Sequence, residues 1–203
     1  MQAIDRPALQ RRALIFVWVG EVWNLLEAGV ALWTGIGASS VALVAFGLDS
    51  LIELFAGGVL IWRLSRDWDS GKEHSAELRA QKLVGATFFL LSAFILVQSL
   101  GTLFGWFAEP RESLVGIALV VASAAVMTVL YFGKTGIART LGSGALRAEA
   151  VESLMCDLQD LTLLVGLGLN ALWGWWWADP VAALALIPFF LKEGWENVSG
   201  QEE

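Results

Sequence analysis

Residues 39–58 read SSVALVAFGLDSLIELFAGG, an apolar run interrupted by two acids, Asp49 and Glu53. Four residues apart on a helix, their carboxylates project from one face about one turn apart. Asp49 lies near the middle of a stretch long enough to cross a bilayer. A charged side chain at the bilayer centre costs roughly 2.5–3.5 kcal/mol on insertion scales. Such acids are tolerated when they face inward and bind something positive. The run therefore predicts a membrane-spanning helix that carries half of a cation site.

The rest of the chain supports the membrane reading. Hydrophobic residues make up 57% of it and charged ones 16%, far from the soluble average. Its 11 Trp suit membrane interfaces. A net charge of -7 argues against nucleic acid as a partner. The single cysteine, Cys156, excludes an intramolecular disulfide. The first apolar run, with Glu21, Asn24 and Glu27 inside it, is too long for a cleaved signal and is expected to stay as a span.

Six segments can cross about 30 Å as helices: 13–34, 39–64, 80–104, 113–132, 145–173 and 176–191. The expected fold is an all-α membrane protein, with six transmembrane helices in residues 1–195 and a short acidic tail at 196–203. GWWWADP at 174–180 fits a tight interfacial turn that starts the last helix, within which Pro188 is expected to kink or end it. With the N-terminus inside, Arg111 is the one exception among the 13 basic residues to a cytoplasmic location. Both termini are then cytoplasmic, in a multi-pass inner-membrane protein. Gly101 and Gly105 offer a small-xxx-small pair for a dimer face or for close helix packing.

Span 5 answers span 2. It contains Glu149, Glu152, Ser153, Cys156, Asp157 and Asp160. At about 100° per residue, 149, 153, 156 and 160 form one stripe, which 152 and 157 flank. Cys156 and Asp160 lie near mid-span, level with Asp49 and Glu53. Carboxylates and one thiolate can bind a divalent first-row metal, with Cys favouring zinc over magnesium. Cys156 reads either as a ligand or as a small core hydrophobe. Glu149 and Glu152 could form an attracting vestibule toward the cytoplasm. Asn24 and Glu27 share a face of span 1 and either line the pathway, relay protons or make an interhelical hydrogen bond. Glu21 and His74 read as solvated.

At these residues the chain resembles the cation diffusion facilitator (cation efflux) family. Residues 39–58 are similar to that family's second helix, whose two acids map onto Asp49 and Glu53. Residues 146–186, LRAEAVESLMCDLQDLTLLVGLGLNALWGWWWADPVAALAL, resemble its fifth and sixth helices with the Ala-Asp-Pro turn. The family's His-x-x-x-Asp falls on Ser153 and Asp157, so the histidine is replaced, while Cys156 and Asp160 repeat the spacing one face away. Glu53 stands where the family usually has Asp. The chain is expected to be a short, transmembrane-only form without the soluble dimerisation domain.

Taken together, these features predict a divalent metal exporter that exchanges metal for protons. Its first ligands would be Asp49, Glu53, Asp157, and Asp160 or Cys156. Zinc is the favoured substrate, with manganese, iron, cobalt or cadmium as alternatives, and the protein would act as a homodimer. The rival is a non-transporting membrane subunit that retains the fold. No nucleophile–base motif suggests an enzyme.

Overall fold

A computed structural model describes residues 6–37, 41–65, 70–107 and 114–200. Six helices follow one another: α1 Arg6–Gly37, α2 Val41–Leu64, α3 Ser70–Leu103, α4 Leu114–Leu141, α5 Gly144–Trp173 and α6 Ala178–Ser199. Arg111 and residues 201–203 lie outside the described residues. The stretches Arg6–Gly37, Lys72–Leu103 and Ile117–Leu141 are long and apolar enough to cross a membrane by length and hydropathy. Of the other helices, α2 carries Asp49 and Glu53, and α5 carries Glu149, Glu152, Asp157 and Asp160.

The helices run alternately up and down. Arg6 donates to the Leu141 carbonyl at 3.1 Å, Arg63 pairs with Glu77 at 2.6 Å, and Gln81 donates to Asn197 at 3.3 Å. These contacts bring the start of α1, the ends of α2 and α4, the start of α3 and the end of α6 to one pole. At this pole α1, α3, α4 and α6 outrun their apolar segments, by about two to three turns each. The polar stretch after α2 is thus partly the first turns of α3.

Packing follows small residues. A Cβ on Gly85 of α3 would come within 2.7 Å of Asn197. One on Gly194 of α6 would lie 3.2 Å from the Gly85 carbonyl. Without hydrophobic driving force in lipid, such close backbone approach supplies the association. Phe88, Leu91 and Ile95 of α3, Met155 of α5 and Phe190 of α6 form the adjoining core. Helix α5 touches α2, α3, α4 and α6, so its buried stripe faces the centre of the bundle.

Both ends of α5 are capped. Ser143 accepts from the Leu146 amide at 3.1 Å, and Gly174, at φ 69°, closes the helix on the Asn170 carbonyl. Three tryptophans follow, with Trp175 and Trp177 stacked at 5.5 Å between centroids. Pro180 sits in the first turn of α6, where a missing N–H costs nothing. Pro188 does not end α6, which continues to Ser199.

The Gly101–Gly105 pair does not form an outward face. Gly105 has φ 72° and lies beyond the end of α3. The amides of Trp106 and Phe107 return to the Gly101 carbonyl at 2.7 and 3.0 Å, and the Phe107 ring covers Gly101. These glycines terminate a helix.

Candidate metal site

Asp49 and Glu53 are both buried in mid-α2. Opposite them on α5, the stripe seen in the sequence is a buried stripe in space: Glu149, Ser153, Cys156 and Asp160 are each at most 7% exposed. The two helices meet at the expected depth. The Cys156 thiol donates to Glu53 Oε1, and the Gln159 amide reaches Asp49 Oδ2 at 3.5 Å.

Helix α1 supplies a third wall. Glu27 is 3% exposed and accepts from the Ser50 hydroxyl at 3.0 Å. Ser123 of α4 faces both Glu27 and Asp160. Asn24 is buried on the same side of α1. Glu27 and Asp49 lie within electrostatic reach of Glu53, and Glu27 of Asp160. Glu27 therefore belongs with the central acids, and its spacing from Asn24 was the signal that marked it.

Several oxygens here are open. Asp49 Oδ1, Asp160 Oδ2, Glu27 Oε1 and Asn24 Oδ1 are buried with no hydrogen-bond partner in the protein. A buried acceptor left unpaired costs about 1–3 kcal/mol, more when charged, so these oxygens are poised for a positive partner. Among the described residues, no three His, Cys, Asp or Glu side chains stand together at metal-binding geometry. The acids lie within electrostatic reach of one another without converging on one point.

Asp157 behaves differently. It is half-buried, and Thr128 of α4 donates to its Oδ2 at 2.6 Å. The acid of α5 that the resemblance aligned with a ligand thus turns toward α4, while Cys156 and Asp160 face inward. Gln159, absent from the sequence-predicted set, reaches Asp49 instead.

Toward the pole the acids have partners. Glu152 accepts from Thr87 at 2.7 Å, so it points at α3. Lys134 of α4, read from sequence only as a basic flank, is 1% exposed. Its ammonium donates to Glu149 Oε1 and to Ser153 Oγ, both at 2.7 Å. Glu21 lies near both Lys134 and Glu149 and fills the space over Gly57. Its spacing did not reveal this, because only the glycine on α2 makes room for it. His74 is exposed, as expected.

Residues 17–199 match the description of the cation efflux transmembrane domain. The chain belongs to the cation efflux family. It is 31% identical over 186 residues to an uncharacterized transporter of Synechocystis sp., covering 81% of this chain and 57% of that protein. It is 25% identical over 208 residues to metal tolerance protein 4 of Oryza sativa subsp. japonica, covering 97% of this chain and 52% of that protein. The chain spans about half the length of these relatives. This cation efflux domain is an all-α, multi-pass membrane protein.

Proposed function

We propose that this cation efflux domain moves a divalent first-row metal across the membrane, with zinc as the favoured ion. The supporting observation is the set of buried, unpartnered carboxylate oxygens on Glu27, Asp49 and Asp160, around which α1, α2 and α5 meet. The name of the rice relative, a metal tolerance protein, agrees with that reading. Asp49, Glu53, Asp160 and Cys156 are the proposed ligands. Asp157 joins them only by giving up its bond to Thr128.

Carboxylates and thiolate bind metal when deprotonated, so loading releases protons and protonation expels metal. A site that opens alternately to each side then couples efflux to a proton gradient. Both termini face the cytoplasm of an inner membrane in this reading, which rests on the positive-inside distribution of Lys and Arg. A homodimer belongs to it as well, through a face other than Gly101–Gly105. Light scattering in nanodiscs should report two copies, in wild type and in Gly101→Leu alike.

The test is calorimetry on the detergent-purified protein with zinc, manganese, cobalt and cadmium. Saturable binding by wild type and its loss in Asp49→Ala support transport. One observation favours the rival, a non-transporting subunit: among the described residues, no three of these groups stand at metal-binding geometry. That rival predicts no saturable binding and no metal-dependent rise in melting temperature.

A further inference from the structure

On the buried stripe of α5, one helical turn toward the pole from the Cys156–Glu53 contact, a positive charge is already in place. The Lys134 ammonium reaches across from α4 and donates to Glu149 Oε1 and Ser153 Oγ, both at 2.7 Å. It is 1% exposed, and Glu149 is 7% exposed. Glu149 Oε2 is buried and has no partner in the protein. Glu21 of α1 faces the same pair, and Glu152 is within electrostatic reach of both. Three carboxylates therefore surround one ammonium.

The geometry points to a second cation position at Glu149, Ser153 and Glu21, held by Lys134 as a tethered ion that a divalent cation must displace in order to occupy it. A buried ammonium is kept only where partners replace its lost water. Lysine suits this use because its charge is compact and its stem flexible. When the ammonium leaves, Glu149 presents two oxygens beside the Ser153 hydroxyl, and oxygen donors of this kind take a divalent metal. Acid groups outnumber the ammonium three to one at this position. A divalent ion is then attracted to it while a monovalent one gains less. Lys134 thus sets how readily metal lodges on the stripe before reaching Asp49 and Glu53.

This inference rests on the transport reading, and its test separates the two. Lys134→Gln keeps a donor for Glu149 and Ser153 but removes the charge. Titrated with zinc by calorimetry, it should show one more binding event per chain than wild type, or at least tenfold tighter binding. Adding Glu149→Gln to Lys134→Gln should abolish the gain. If Lys134→Gln proves unstable, Lys134→Met/Glu149→Gln removes both charges together; it should fold and bind zinc like wild type, and a gained event there would overturn the proposal. A merely structural ammonium would lower the melting temperature of Lys134→Gln and leave stoichiometry and affinity unchanged. That result, with Asp49→Ala still losing zinc, overturns the inference alone. Zinc binding by neither wild type nor Lys134→Gln overturns both readings.

Discussion

Two buried regions of this bundle hold their acids in opposite ways. At the pole, charge is matched: Arg63 pairs with Glu77 at 2.6 Å and Glu73 at 3.5 Å, and Glu77 also takes the Ser143 hydroxyl at 2.6 Å and the Ala145 amide at 3.0 Å. One carboxylate thus ties α2, α3 and the start of α5. In mid-bundle, among the described residues, Asp49, Glu53, Asp160 and Glu27 meet hydroxyls, a thiol, an amide and the Trp23 indole rather than a basic side chain. Matched charge fixes helix ends; in the function proposed above, unmatched charge receives the metal. Burial differs too, with Glu77 15% and Glu73 42% exposed against at most 8% for the mid-bundle acids.

The sharpest way to break this comparison is to remove one acid from each region. Asp49→Ala should weaken zinc binding by more than about 100-fold in calorimetry, beyond the 10–100-fold that loss of an outer partner costs. Glu77→Ala should leave affinity within about twofold, since an outlying partner that does not touch the metal has little hold on it. Its effect falls on stability instead. Breaking a buried ion pair costs about 3 kcal/mol or more, which lowers a melting temperature in this size range by about 6–12 °C. A Glu77→Ala protein that melts like wild type but has lost zinc would reverse the roles of the two regions.

Acidity sharpens the contrast. Zinc affinity should fall at least about tenfold as pH drops from about 7.5 to 5.5, because mid-bundle ligands must shed protons to bind. Equilibrium dialysis at fixed ionic strength measures this, and flat binding would argue against proton exchange. The smallest expected effect lies at Glu193, beyond the apolar part of α6. Burial pushes its carboxyl above the ordinary range, while Arg147 opposes that. The folded state therefore holds the Glu193 proton better than the unfolded chain does, and stability from it fades as pH rises. Glu193→Gln should raise the melting temperature by about 2 °C at pH 8 and change nothing at pH 4.

Much of this was legible in the sequence because membrane helices obey simple rules. The six spans, the facing of Asp49–Glu53 toward α5, and the stripe 149–153–156–160 all follow from apolar length and the 3.6-residue period. What stayed hidden depends on contacts between distant elements. Lys134 reads as a flanking charge, and only the neighbouring helix shows that its ammonium turns inward. Asp157 differs from Asp160 by less than one turn, and Thr128 on α4 decides which way it points. Gly101 reads as a packing face until the chain beyond α3 folds Phe107 back over it. Pro188 reads as a kink or a stop, and α6 runs through it to Ser199.

The tryptophans after α5 bear on how the bundle sits in lipid. Trp173, Trp175 and Trp177 stand side by side, 63%, 46% and 44% exposed, at the turn that Gly174 fixes. Indoles of this kind prefer the headgroup level, so they act as a depth gauge for the adjoining ends of α5 and α6. In a thinner or thicker bilayer the mismatch is then taken up at the opposite end, where the helices overshoot their apolar segments. The height of Asp160 above the gauged surface stays constant, and membrane thickness changes how far the other pole protrudes.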